Sequence, residues 1–76
     1  MTAAAGVGRT VRYYREAVGM SQASLGAALG ITPQAVSDFE VGKTEITVAR
    51  LYLIARVLGV SVWRLLGEAP PLPDAV

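Results

Sequence analysis

Apolar residues recur along this chain at the spacing of an α-helix, three or four positions apart, and no stretch alternates as a β-strand does. A first segment, over about residues 7–18, places Val11, Tyr14 and Val18 on one face. A later segment carries a longer apolar stripe, formed by Val48, Leu51, Ile54, Ala55 and Leu58. The pattern predicts an all-α protein whose helices each bury one face.

Capping residues and glycines divide this pattern into five short helices. A Ser or Thr side chain favours a helix start because its oxygen accepts a free backbone N–H, and glycine favours a helix end. The candidate caps are Ser21, Thr32, Thr47 and Ser61, and the candidate stops are Gly19, Gly30, Gly42, Gly59 and Gly67. These signals predict helices over about residues 7–18, 22–29, 33–41, 48–58 and 62–66.

The second and third predicted helices are joined by a very short turn, Gly30-Ile31-Thr32. So short a turn does not suit an antiparallel hairpin and favours a near-perpendicular crossing. The crossing needs a small residue where the helices touch, a glycine in the turn and two apolar residues facing back. Gly26, Gly30, Val36 and Phe39 meet these needs, at positions 5, 9, 15 and 18 counted from Gln22. The spacing predicts a helix-turn-helix.

From about residue 7 to residue 67, the chain resembles the Xre/Cro family of phage-repressor-type DNA-binding domains. The segments that carry the resemblance are RYYREAVGMSQ (12–22), Leu25, LGIT (29–32), VSDFEVGK (36–43) and IARVLGV (54–60). The resemblance implies a lambda-repressor-like fold whose third helix enters the major groove while the second lies across the DNA backbone. We expect residues 1–67 to form this domain and residues 68–76, with three prolines, to form a flexible tail.

The resemblance also implies roles for individual residues. The positions that meet base edges are Gln34, Ser37 and Asp38, with Pro33 sharing the first such position. Gln34 is the best candidate reader, because its amide can pair with N6 and N7 of adenine. Asp38 can accept from N4 of cytosine or repel a wrong sequence. The candidate phosphate contacts are Gln22, Thr32, Lys43, Thr44 and Arg12, whereas Arg15 and Glu40 match a structural ion pair between helices one and three.

Apolar residues outside the inward stripe predict a surface for association. They are Tyr52, Leu53 and Val57 on the fourth helix and Trp63 and Leu66 around the fifth. Relatives dimerise near their C-terminal helices, so the resemblance implies a homodimer on a palindromic operator, with half-sites roughly 34 Å apart. The alternative is that Trp63 folds over the core of its own chain.

Composition narrows the chemistry. The chain has no histidine and no cysteine, which excludes thiol nucleophiles, disulfides and imidazole catalysis. It also lacks a glycine-rich phosphate loop and a nucleophile with an activating base, so we expect no enzyme, cofactor, metal or small-molecule ligand. The uncharged stretch over residues 17–37 is broken by glycines, a proline and polar residues, which argues against a membrane span. We expect a cytoplasmic, nucleoid-associated protein of a prokaryote or phage.

Charge leaves two functions open. All seven basic residues and four of the six acidic ones lie within residues 1–67, so that part carries +3 while the whole chain carries +1. The favoured hypothesis is a sequence-specific, double-stranded DNA-binding transcription regulator of repressor or controller type. The third helix contains no Arg or Lys, however. The alternative is therefore a protein-interaction module, such as an antitoxin-like domain, whose DNA binding is secondary or lost.

Overall fold

Five α-helices follow one another in the computed structural model, which describes residues 3–67. They are α1 (Ala3–Ala17), α2 (Gln22–Leu29), α3 (Pro33–Glu40), α4 (Val48–Leu58) and α5 (Val62–Leu65). No strand occurs within this range, so the predicted all-α fold of five helices is confirmed. The tail predicted for residues 68–76 lies outside the described residues. No helix in residues 3–67 is long and apolar enough to cross a membrane.

Each of α2 to α5 begins at a predicted capping residue. The side-chain oxygens of Ser21, Thr32, Thr47 and Ser61 each accept the backbone N–H three residues further on. The one large difference is the start of α1, which lies at Ala3 rather than near residue 7. Alanines, which have the highest helix propensity, extend the helix there without a capping signal that the sequence would show.

The core is a single cluster contributed by all five helices. Its buried apolar residues are Val11, Leu25, Val36, Phe39, Leu51, Ile54, Ala55, Leu58 and Leu65. Two residues predicted to face inward are exposed instead: 52% of Val18 and 71% of Val48 are accessible. Val18 follows the last residue of α1, and Val48 is the first residue of α4. At such ends the helix has already left the core, so helical periodicity no longer predicts the buried face.

Two glycines allow α3 to pack closely against its neighbours. A Cβ on Gly26 in α2 would lie 2.7 Å from the carbonyl oxygen of Ile31, and a Cβ on Gly8 in α1 would overlap the carbonyl oxygen of Phe39. Gly30 ends α2 with φ of 75°, a left-handed conformation that glycine adopts without strain. The chain therefore turns sharply into α3 and holds it against both α1 and α2.

Candidate nucleic-acid interface

The outer face of α3 carries the residues that the sequence predicted to read bases. Val36 and Phe39 turn inward and are buried, so residues two positions before Val36 and two after it point away from the core. Gln34 is exposed and Asp38 half-buried on that outward side. Pro33 is exposed as well, and Ser37 is half-buried. The structure therefore places all four residues on one short helix with its opposite side anchored in the core.

Gln34 and Asp38 are joined by a hydrogen bond. The Nε2 of Gln34 donates to Oδ1 of Asp38 at 2.9 Å, across one turn of the helix. Each side chain was predicted as a separate base-reading group. In the structure the two form one polar unit on the outer face of α3.

The loop after α3 is held by the backbone of that helix. The carbonyl oxygen of Asp38 accepts the N–H of Lys43 at 2.8 Å and that of Thr44 at 3.4 Å. Both residues are exposed, and Lys43 forms no ion pair with any residue in the range 3–67. A lysine side chain that is not committed within the protein is available to an anion.

The other predicted phosphate contacts stand at helix starts and on α1. Gln22 is the first residue of α2, and its side-chain amide donates one N–H to Oε1 of Glu40 at 3.1 Å. The second N–H of the amide remains available to a phosphate. The Thr32 hydroxyl accepts the N–H of Ala35 at 3.1 Å and keeps its own hydrogen. Arg12 is paired with Glu16 at 3.2 Å on the exposed side of α1. Of the three side chains, Arg12 is the one cation, and it must leave its ion pair with Glu16 before it can contact phosphate.

A buried ion pair lies beneath Gln22. The Nε of Arg15 donates to Oε2 of Glu40 at 2.6 Å and its Nη2 to Oε1 at 3.1 Å, while its Nη1 donates to the carbonyl oxygen of Met20 at 2.7 Å. Arg15 is 6% and Glu40 4% exposed. The ion pair links α1 to α3, as the family resemblance implied.

The hydrogen bond to Glu40 raises the pKa of the Arg15 guanidinium, more than burial lowers it. A base whose pKa rises on folding stabilises the fold at any pH below its ordinary pKa. The contribution is lost only as the pH rises through the higher folded value. Arg15 therefore stays charged throughout the neutral range.

A second surface lies on α4 and α5. The C-terminal apolar patch, as we call it, consists of Tyr52, Leu53, Val57, Trp63 and Leu66, all of them exposed. Trp63 is 60% accessible, so the alternative in which it folds over its own core is wrong. Tyr52, Trp63 and Leu66 line a shallow groove together with Val62. The sequence pattern had placed all five side chains outside the core, and the structure brings Tyr52, Trp63 and Leu66 together along the groove.

Sequence reasoning missed two features of this region. It did not single out Gly8, although a glycine inside a helix is a signal of close packing. It also did not anticipate the hydrogen bonds that link Gln22 to Glu40 and Gln34 to Asp38, because many rotamers of such side chains are compatible with the same sequence. No cluster of three metal-ligating side chains occurs among the residues that the structure describes.

Comparison with known protein families gives a match over most of the chain. The helix-turn-helix family model matches residues 11–62. Two uncharacterized HTH-type transcriptional regulators, from Sinorhizobium medicae (strain WSM419) and Rhizobium meliloti (strain 1021), are each 39% identical to it over 64 residues. The aligned region covers 84% of this chain and 46% of each regulator, so the chain spans less than half the length of these relatives.

Solved structures show the same fold in two settings. The clp gene regulator ClgR from C. glutamicum superimposes with a TM-score of 0.84 at 26% identity, covering 90% of this chain and 88% of that one. Hydroxypropylphosphonic acid epoxidase superimposes with a TM-score of 0.82 at 39% identity, covering 99% of this chain but only 40% of the enzyme. This fold thus makes up most of the ClgR chain and less than half of the epoxidase chain.

Proposed function

The chain belongs to the Xre-type helix-turn-helix family, and from this premise we propose that it is a sequence-specific, double-stranded DNA-binding transcription regulator of repressor or controller type. The observation that carries the proposal is the joint position of α3 and the loop after it. One outward face offers Gln34, Ser37, Asp38 and Pro33, and the backbone of the same helix holds Lys43 and Thr44 beside it.

Base-reading and phosphate-contacting groups complement each other in this arrangement. With α3 in the major groove, Gln34 and Ser37 offer hydrogen-bonding groups to base edges, and the Pro33 ring offers an apolar contact. Lys43 and Thr44 then meet the DNA backbone beyond one end of α3, and Thr32 meets it at the other. Gln22 contributes its free amide N–H, and Arg12 contributes a cation after leaving Glu16. These phosphate contacts set the register and orientation of the protein on DNA.

The charge distribution predicts modest salt dependence. α3 has no basic residue, and two of the three arginines of α1 are paired with acidic side chains. Few cations on α1 and α3 are therefore available to displace counterions from DNA, so the slope of log affinity against log salt should be shallow. Sequence preference then depends on amide, hydroxyl and backbone contacts.

We propose that the protein acts as a homodimer through the C-terminal apolar patch. Aromatic and aliphatic side chains exposed together gain free energy when a second copy covers them. A two-fold dimer presents two copies of α3 to DNA, so its operator is palindromic with half-sites roughly 34 Å apart. The proposal places the protein in the bacterial cytoplasm with its DNA and gives it no catalytic role.

A protein-interaction module is the second candidate, because the C-terminal apolar patch also suits a different protein. The lack of a basic residue in α3 favours this candidate as well. The two functions differ in what the α3 face contributes: a module of this kind needs the patch and not Gln34 or Lys43.

Selection from a pool of randomised DNA duplexes tests the proposed function. We expect the wild-type chain to enrich a palindrome whose two half-sites lie about one helical turn apart. The matched control is the double variant Gln34→Ala/Ser37→Ala, which alters the outer face of α3 and leaves the core and the patch intact. Failure of the wild-type chain to enrich any duplex above this control would reject the regulator and favour the interaction module.

A further inference from the structure

The hydrogen bond between Gln34 and Asp38 determines which way the Gln34 amide faces. An ionised carboxylate has acceptors only, so the group that points at Asp38 Oδ1 must be the NH₂ of the amide and not its oxygen. One amide hydrogen is thereby committed to Asp38. The amide keeps one acceptor, Oε1, and one donor, the second N–H.

This remaining pair of groups matches adenine better than guanine. In the major groove, adenine offers an acceptor at N7 and a donor at N6, whereas guanine offers acceptors at N7 and O6. A free glutamine amide can turn both hydrogens toward guanine. With one of them held by Asp38, it has an acceptor and a donor left, which is the complement of adenine.

Stability does not explain why an acidic residue occupies position 38. Asp38 lies in the last turn of α3, where a negative charge opposes the helix dipole. It also lies on the face that we propose enters the major groove, where the negative charge of the DNA repels it. Both effects are unfavourable, and the hydrogen bond to Gln34 is the one hydrogen bond that its side chain makes within the described residues.

We propose that Asp38 is a positioning residue that fixes the Gln34 amide in the orientation that reads adenine and rejects guanine. This inference rests on the proposed function, since it concerns the specificity of the same DNA-binding face. It assigns Asp38 a role through Gln34 rather than a direct contact with cytosine. Its carboxylate lowers the affinity for every duplex by repulsion and increases the discrimination between A·T and G·C at one base pair.

The test measures binding to the selected duplex and to a duplex with one A·T pair replaced by G·C. The base pair is the one at which Gln34→Ala removes the preference. We expect the wild-type chain to prefer A·T by on the order of tenfold, as one bidentate contact provides. Asp38→Ala should reduce the preference to about twofold, because both hydrogens of the Gln34 amide are then free to turn toward guanine. Asp38→Asn should lie between, since an asparagine can accept from Gln34 but can also donate to it.

Glu45→Gln provides the control for charge. Glu45 lies in the exposed loop after α3 and makes no hydrogen bond to Gln34. Its neutralisation, like both Asp38 changes, should raise affinity for every duplex by lowering repulsion, but it should leave the ratio of A·T to G·C unchanged. The Asp38 variants should not unfold at a lower midpoint than the wild-type chain, because the loop is held by the backbone carbonyl of Asp38 and not by its side chain.

Three results would overturn the inference. Asp38→Ala with an undiminished preference would show that Gln34 reads adenine alone. Equal ratios for Asp38→Ala and Asp38→Asn would reduce the role of Asp38 to its charge. A preference lost at a neighbouring C·G pair, with the A·T preference kept, would show that Asp38 contacts a base itself. These results differ from failure of the proposed function, in which the wild-type chain enriches no duplex at all.

Discussion

The guanidinium of Arg15 donates two hydrogen bonds to the carboxylate of Glu40, with Nε 2.6 Å from Oε2 and Nη2 3.1 Å from Oε1. Arg15 comes from α1, and Glu40 is the last residue of α3. Both are buried, so neither charge has water as an alternative partner. The pair therefore joins α1 to α3 at a point where separation would leave a charge unsolvated.

Replacing Glu40 with leucine should destabilise the protein severely. Glu40→Leu leaves the Arg15 guanidinium buried without its partner, which costs about 3–5 kcal/mol of unfolding free energy. Urea unfolding followed by circular dichroism measures this change. The control is Arg12→Leu, which removes an exposed pair with Glu16 and should cost at most about 0.5 kcal/mol. Equal midpoints for the two variants would contradict the structural role of the buried pair.

A methyl group added at Gly8 should push α1 away from α3. Gly8→Ala places a Cβ against the backbone carbonyl of Phe39, which has no flexible side chain to yield, and should cost about 1–3 kcal/mol. Gly6→Ala is the matched control on the same helix, with nothing within 4 Å of its Cβ. It should stabilise the protein by up to about 1 kcal/mol, because alanine is the better helix former. Thermal unfolding of the two variants should therefore shift in opposite directions.

The ammonium group of Lys43 should account for one phosphate contact. Lys43→Ala should reduce the slope of log affinity against log salt by about 0.9 and weaken binding equally for all duplexes. The slope is obtained by titration of the selected duplex at several salt concentrations. Arg64→Ala removes an equal charge from α5, which packs on α1 and α4, and should leave the slope nearly unchanged. A similar loss in both variants would mean that net charge, and not a specific contact, governs binding.

Trp63 should be a central residue of the proposed dimer interface. Trp63→Ala should raise the dimer dissociation constant by roughly 30-fold or more, which corresponds to about 2 kcal/mol for an aromatic hot spot. Sedimentation equilibrium gives this constant directly. Tyr13→Ala serves as control, because Tyr13 is a similarly exposed aromatic residue on α1, at 66%, and lies outside the C-terminal apolar patch. A dimer that persists in Trp63→Ala would place the interface elsewhere.

Local signals in the sequence were sufficient to predict where α2 and α3 begin and where α2 ends. Ser21 and Thr32 cap α2 and α3 as predicted, and α2 spans the predicted residues before it ends at Gly30. Caps and turn glycines act through neighbouring backbone groups, so a short stretch of sequence contains the whole interaction. The same reasoning failed at the start of α1, where helix formation depends on alanine propensity and has no capping side chain.

Contacts between distant or flexible side chains were harder to predict. The position of Gly8 against Phe39 depends on how two helices cross, and helical periodicity carries no information about that. The Gln34 amide had two orientations open to it in the sequence, and the neighbouring carboxylate selects one of them. The role of Arg15 and Glu40 followed from a family resemblance rather than from their spacing of 25 residues.

The backbone N–H of Lys43 donates to the carbonyl oxygen of Asp38, so the position of the loop does not depend on the side chain at position 38. Every amino acid at position 38 supplies this carbonyl, so we expect that replacing the outward side chains of α3 does not move the loop that follows it. In the proposed complex, new operator preferences can therefore evolve by exchange of Gln34, Ser37 or Asp38 while the approach of the protein to DNA stays fixed. The proposed function thus predicts that the sequence preference can be reprogrammed by substitution on one helix face.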